Sequence, residues 1–266
     1  MSTLQIGLVL PDVLGTYGDD GNALVLRQRA RMRGFDANIV RIHLGDPIPT
    51  SLDVYCLGGG EDTAQILAAE HINTDGGLHK AAAGRATPSA RCAAARSAGD
   101  MHKAAPAARP ILAICAGLQV LGESFRADNR MVTGAGLIDA TTGSLKKRFI
   151  GELQSTPHPN DGGITAGLTE PLTGFGNHFG SSILGSDAKP LGIVTHGVGN
   201  SDTEQPTYEG AVQGSIICTY MHGPVLARNP QLADLLLAWA LDMPMSELQP
   251  LDLPVVDKLR RERLQR

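Results

Sequence analysis

Two residues have the type and setting for nucleophilic catalysis. Cys115 ends the apolar run Ile111-Leu-Ala-Ile-Cys115 and is followed by Ala116, Gly117, Leu118 and Gln119. Small residues after a strand permit a sharp turn into a helix, which lifts the side chain off the sheet and aims the helix N-terminus at it. The positive end of a helix favours the nucleophilic thiolate. The same setting suits a buried cysteine acting as a small hydrophobe, the commonest fate of a free thiol. His222 stands in Thr219-Tyr-Met-His222-Gly-Pro224, after the β-like run 215–218. A histidine at a strand end before a Gly-Pro break can face a cleft at the carboxyl edge of a sheet, as base for a thiol. It can equally be structural. A third feature is Leu57-Gly58-Gly59-Gly60-Glu61-Asp62. Backbone N–H groups on such a triplet suit an oxyanion hole, with donors about 3 Å from the developing charge. A phosphate loop and a plain tight turn compete. No Gly-x-x-x-x-Gly-Lys-Ser/Thr motif occurs, and no lysine follows the glycines.

Positioning these groups requires strands that end near one another. Runs 4–10, 37–42, 53–57 and 111–115 read as strands, and 22–34 reads as a helix closed by Gly34. Strands spaced by helices predict βαβ units and a parallel sheet. From 133 to 220 the chain shows short β-like runs with many glycines, which predicts antiparallel strands laid against the parallel core. Helices are expected over 230–241 and 254–265. The remaining histidines, at 43, 71, 79, 102, 158, 178 and 196, are expected mostly in loops or on helix surfaces. Segment 84–110, GRATPSARCAAARSAGDMHKAAPAARP, has almost no large apolar residue and is expected to be an exposed, poorly packed insertion.

With 266 residues, 42% of them hydrophobic and 19% charged, the chain is long enough and apolar enough for a full core. Its formal net charge of −4 argues against a broad nucleic-acid-binding face. The four cysteines form no C-x-x-C pair, so no zinc or dithiol site is indicated. The start lacks the features of a signal peptide, and no apolar run reaches the roughly 18–20 residues of a membrane span. A reduced, cytoplasmic α/β protein is expected.

The segment ILAICAGLQVLGESF, with LGGGED upstream and TYMHGP downstream, resembles the triad-type class I glutamine amidotransferases in their cobyric acid synthase-like branch. LPDVLGTYGDDGNALVLRQRARMRG, LGGGEDTAQ, LTGFGNH and TYMHGPVLARNP are similar to the GatD family, the glutaminase subunits of lipid II isoglutaminyl synthases. LDLPVVDKLRRERL resembles actinobacterial members. The resemblance covers nearly all of the chain outside 84–110. It implies a three-layer, flavodoxin-like α/β fold: a mainly parallel central sheet flanked by helices, with added antiparallel strands. It further implies one domain over 1–266, with an insertion at about 84–110 and a C-terminal helical tail at about 246–266.

The resemblance also implies chemistry. L-glutamine is hydrolysed to glutamate and ammonia through a Cys115 thioester, with His222 moving the proton. Ammonia passes to a MurT-type Mur ligase subunit in a heterodimer, and that partner uses ATP and Mg to amidate the D-glutamate α-carboxyl of the lipid II stem peptide. This chain has no nucleotide motif, and no metal or cofactor of its own is expected. The expected location is cytoplasmic, at the inner membrane face through lipid II. Oxyanion donors are expected from Gly59, Gly60 and Ala116. Arg148, in Lys146-Lys-Arg-Phe-Ile-Gly151, matches a position suited to hold the glutamine α-carboxylate, with an ordinary surface charge as the alternative. Gln119 lies one helical turn from Cys115 and would contact substrate or support the turn. Asn177 and His178, in LTGFGNH, are implied substrate-binding residues. One departure stands out: His222-Gly223-Pro224 lacks the acid of the usual His-x-Glu. Asp19, in Tyr17-Gly-Asp19-Asp20-Gly-Asn22, is the candidate in its place, unless it caps the following helix. An amidotransferase for another acceptor and a non-catalytic docking subunit are the alternative functions.

Overall fold

The apolar runs of the first half become strands, buried on both faces in the middle of the sheet and partly exposed at its edge strand. In the computed structural model, which describes residues 3–83, 108–159, 163–203 and 207–265, the chain runs β1 (Leu4–Val9), α1 (Gly21–Met32), β2 (Ala37–Ile42), β3 (Val54–Leu57), α2 (Asp62–Asp75), α3 (Gly77–Ala82), β4 (Ile111–Ile114) and α4 (Ala116–Leu121). There follow β5 (Ser124–Ala127), β6 (Arg130–Thr133), the long β7 (Ala140–Pro157), β8 (Leu172–Leu184), β9 (Gly192–His196), β10 (Tyr208–Glu209), β11 (Ala211–Gln213), β12 (Ile216–Thr219) and β13 (Met221–His222). Helices α5 (Val225–Arg228), α6 (Pro230–Ala240) and α7 (Pro254–Leu264) complete the chain.

One sheet has the order β11-β12-β4-β3-β1-β2. Its strands are parallel from β12 to β2, and β11 is antiparallel. Every residue of β3, β4 and β12 is buried, as expected where both faces of a parallel sheet are covered. Most of the glycine-rich second half forms a second sheet, β10-β9-β7-β5-β6, with β8 paired to both β7 and β13, but β12 joins the first sheet in parallel with β4, where an antiparallel strand was expected. In the second sheet the β7–β8 and β7–β9 pairs are antiparallel as expected, whereas β5 joins β7 in parallel. The chain therefore leaves the first sheet at Thr219 and enters the second at Met221, crossing over the single residue Tyr220.

Polar clamps tie the terminal helices down. Asp234 of α6 takes two bonds of 2.7 Å from Arg29 and one of 2.8 Å from Arg33 at the end of α1. Arg260 of α7 donates to Arg228 O, to Asn229 Oδ1 and to Pro171 O. The expected insertion is corrected at its end. Ala108 is 1% exposed. Arg109 N–H donates to Ala81 O at 2.9 Å, and Pro110 O accepts from Tyr55 N at 2.9 Å. These three residues extend into β4 and pack with it, because the strand's first ladder bonds form there. The rest of the segment, with Cys92 and His102, lies outside the described residues. Among the described residues no helix is long and apolar enough to cross a membrane, and no cluster of three or more His, Cys, Asp or Glu is arranged to hold a metal.

Candidate active site

Cys115 sits between the end of β4 and the start of α4 with φ 53 and ψ −105. A positive φ is uncommon for a non-glycine residue and marks stored strain. The neighbouring glycines make the turn possible. A Cβ at Gly58 would lie 2.0 Å from Leu14 O, and one at Gly117 would lie 3.2 Å from Gly58 O. Backbone thus approaches backbone where α4 begins, beside the glycine triplet after β3. Cys115 is 5% exposed and opens onto a cavity of about 150 Å³, lined by residues that include Tyr17, Gly60, Glu61, Gln119, Arg148 and Asn177. Cys56 and Cys218 are buried away from it. Burial pushes the Cys56 thiol up to about 12 and raises Cys218 further with help from the Glu209 charge, so neither forms a thiolate readily.

His222 lies on β13, 4% exposed. Its Nδ1 meets Asp19 Oδ2 at 2.9 Å and Oδ1 at 3.2 Å. Asp19 itself is 2% exposed, and the N-cap of α1, Asp20, makes no side-chain cap bond. Of the two readings of Asp19, the structure adopts the one that faces the histidine. Burial alone would lower the His222 pKa, but the Asp19 hydrogen bond, then the Cys115 sulfur and the Asp19 charge, outweigh it and carry the ring up to about 10. Nε2 makes no hydrogen bond of ordinary geometry among the described residues, leaving that nitrogen to the thiol side. The Tyr17 ring covers the imidazole at a centroid distance of 4.9 Å.

The oxyanion donors need a correction. The Gly59 N–H donates to Asp19 Oδ2 at 3.1 Å, so it orients the acid instead of facing the cavity. Gly60 lines the cavity, and its N–H has no acceptor among the described residues. Ala116 opens α4, where the first amides of a helix lack intrahelical partners. Gln119 lines the cavity and donates to Tyr220 Oη at 3.4 Å. Arg148, on β7, donates through Nε to Asn177 Oδ1 at 3.0 Å and through Nη2 to Tyr17 Oη at 3.4 Å. Tyr17 Oη donates to Glu61 Oε1 at 2.6 Å, and burial, then Glu61, pushes the phenol up to about 12. A polar rim of Glu61, Tyr17, Arg148 and Asn177 thus borders the cavity.

His178 also departs from expectation. It is a buried strand residue, not a loop residue. Its Nδ1 faces Gly180 O at 2.9 Å and its Nε2 faces Val198 O at 3.4 Å, and its ring stacks on Tyr220 at 4.0 Å. Burial holds it neutral, its pKa down at about 4. A neutral imidazole has a single N–H, which the 2.9 Å contact with Gly180 O assigns to Nδ1, and the ring forms a wall of the cavity. Sequence reasoning did not single out Tyr17 or Glu61, although both lie in motifs quoted for neighbouring residues.

Comparison with known proteins agrees with this geometry. A sequence model of the CobB/CobQ-like glutamine amidotransferase domain matches residues 90–230. Subunit GatD of lipid II isoglutaminyl synthase (glutamine-hydrolyzing) from Staphylococcus aureus (strain N315) is 30% identical over 244 residues, 91% of this chain and 86% of that protein. The GatD subunit from Streptococcus pneumoniae is 30% identical over 241 residues, 90% of this chain and 80% of its own. A probable cobyric acid synthase of Methanothermobacter thermautotrophicus is 37% identical over 125 residues, 43% of this chain and 23% of that protein. The glutaminase domain of Trypanosoma brucei CTPS with bound acivicin shares the fold, with a TM-score of 0.52 at 9% identity, covering 94% of this chain and 96% of that one. The amidotransferase match spans more than half of the sequence and the GatD matches span most of it, so the chain belongs to the CobB/CobQ-like glutamine amidotransferases, and within them to the GatD family.

Proposed function

We propose that this chain is the glutaminase subunit of a lipid II isoglutaminyl synthase. The observation that carries the reading is the buried 2.9 Å Asp19–His222 contact behind a cysteine held at positive φ on a cavity wall. Glutamine enters with its amide toward Cys115. Arg148 holds the α-carboxylate, for which a guanidinium fork is suited, and Glu61 faces the α-ammonium. The Cys115 thiolate attacks the amide carbon, and the oxyanion accepts hydrogen bonds from the Gly60 and Ala116 amides. His222, holding the thiol's proton, gives it to the departing ammonia. Water, deprotonated by His222, then hydrolyses the γ-glutamyl thioester. Asp19 fixes the imidazole tautomer and stabilises the imidazolium.

Ammonia passes to a MurT-type ligase subunit, which uses ATP and Mg to activate the D-glutamate α-carboxyl of the lipid II stem peptide. The complex works in the cytoplasm and meets the membrane face through lipid II. The test measures glutamate and ammonia released from L-glutamine by the purified chain, with and without the ligase subunit, and then lipid II amidation when ATP is added. Glutamate release coupled to amidation is expected; no release in either state overturns the reading.

A further inference from the structure

Glu209 is 0% exposed and lies on β10, outside the cavity-lining set. Its Oε1 accepts from Thr219 Oγ1 at 2.6 Å and from Tyr220 N at 2.8 Å. The Thr219 hydroxyl in turn accepts from Met221 N at 3.0 Å, and the Thr219 carbonyl accepts from Cys115 N at 2.8 Å. These bonds converge where the chain crosses from the first sheet to the second. Backbone amides there have left one ladder and not yet joined the next, so a buried crossing needs other acceptors. The Glu209 carboxyl and the Thr219 hydroxyl supply them. One end of this strap is bonded to the backbone of Cys115; the other continues into His222.

Glu209 Oε2, by contrast, is buried with no hydrogen-bond partner among the described residues. Burying a half-satisfied carboxyl is unfavourable. What the side chain contributes here is its Oε1, which holds Thr219 and Tyr220 where the chain crosses between the sheets.

We propose that Glu209 is a positioning residue for the Cys115–His222 pair: by holding the backbone of residues 219–221 it sets where the imidazole stands relative to the thiol. The proposal rests on the glutaminase reading above. Glu209 touches neither the cavity nor the reacting atoms, so its removal acts through the placement of His222. A misplacement of about 1 Å can slow catalysis about 100-fold. Arg148 and Glu61, proposed to hold the substrate, are bonded to Asn177 and Tyr17 and not to Glu209, so their placement is expected to be unchanged.

The experiment compares wild type, E209A, E209Q and T219V as full-length chains, in complex with the ligase subunit. Readouts are kcat and KM for glutamine, melting temperature, and the rate at which an electrophilic glutamine analogue alkylates Cys115. E209A is expected to lose about 10- to 100-fold in kcat and alkylation rate, with KM changed by less than about threefold. E209Q keeps an oxygen acceptor for Thr219 and Tyr220 and is expected to recover most of the lost rate. Wild-type kcat in E209A overturns the proposal. So does an E209Q variant that is folded yet as slow as E209A, since a neutral acceptor suffices for positioning. If E209A does not fold, T219V decides: a native melting curve with reduced kcat supports the proposal, and an unchanged kcat overturns it. C115A run alongside separates the two levels, because glutamine hydrolysis surviving in C115A overturns the functional reading whatever the Glu209 variants do.

Discussion

At the scale of single residues, burial separates the three described cysteines. Only Cys115 combines a cavity wall, a strained backbone and a histidine partner. Replacing Cys115 with alanine or serine is expected to abolish ammonia release. Replacing Cys56 or Cys218 with alanine is expected to lower stability without changing the chemistry. Mass spectrometry after treatment with an electrophilic glutamine analogue checks this, and adducts on Cys56 or Cys218 would contradict it. Asp19→Asn tests the acid. Without the carboxylate, His222 loses its strongest support for the protonated form, so its pKa drops well below about 10. The expected loss in kcat is on the order of 100- to 10,000-fold, and an imidazole titration followed by NMR reports the shift. Cys115, His222 and Asp19 were legible because each sits in a compact motif with a turn signal beside it. The Gly59 error had a local cause. Glycine at a turn announces free amides, but not which one a distant carboxylate already occupies. His178 misled similarly, since polarity alone reads as surface, and only the stack on Tyr220 makes a buried wall of it.

At the scale of elements, apolar runs foretold β1, β2, β3 and β4 to within a residue or two of their observed ends, but not β12, which lies in the region expected to be antiparallel and pairs in parallel with β4. The pairing of the second sheet could not be read in this way. Its strands are short, rich in glycine, and ordered by non-local partners, so nothing in 133–220 says that β7 serves β5, β8 and β9 at once. The helix clamp was likewise invisible, because Asp234 and Arg29 are 205 residues apart. It makes a clear prediction. Asp234→Ala leaves two largely buried guanidinium groups without their carboxylate, and losing one partner of a buried ion pair costs about 3–5 kcal/mol. Urea unfolding monitored by circular dichroism measures it, and a loss below about 1 kcal/mol would show that water replaces the acid.

At the scale of the whole molecule, buried titratable groups set how stability varies with pH. Burial pushes Glu209 up to about 7 from 4.5, although Thr219 and Tyr220 pull the other way. Between those values the folded chain holds a proton that the unfolded chain releases, so raising the pH destabilises the fold across that window. His178, lowered to about 4 by burial, acts in the opposite sense as pH falls below 6.5. The two are separated by difference, since Glu209→Gln leaves His178 unchanged. The gap in unfolding free energy between E209Q and wild type is expected to move in favour of E209Q as pH rises from 4.5 to 7, by about 3 kcal/mol at full effect. Chemical denaturation at several pH values tests it, and a gap independent of pH would place the Glu209 pKa near its ordinary value. The Asp19–His222 contact, which spans 203 residues, has a consequence for biosynthesis. During translation the acid emerges first, the thiol near mid-chain, and the imidazole close to the end. A chain that ends before residue 222 has no base for its thiol. The catalytic pair and its acid therefore come together only once about five-sixths of the chain has been made, so ammonia release depends on the fold closing across that span.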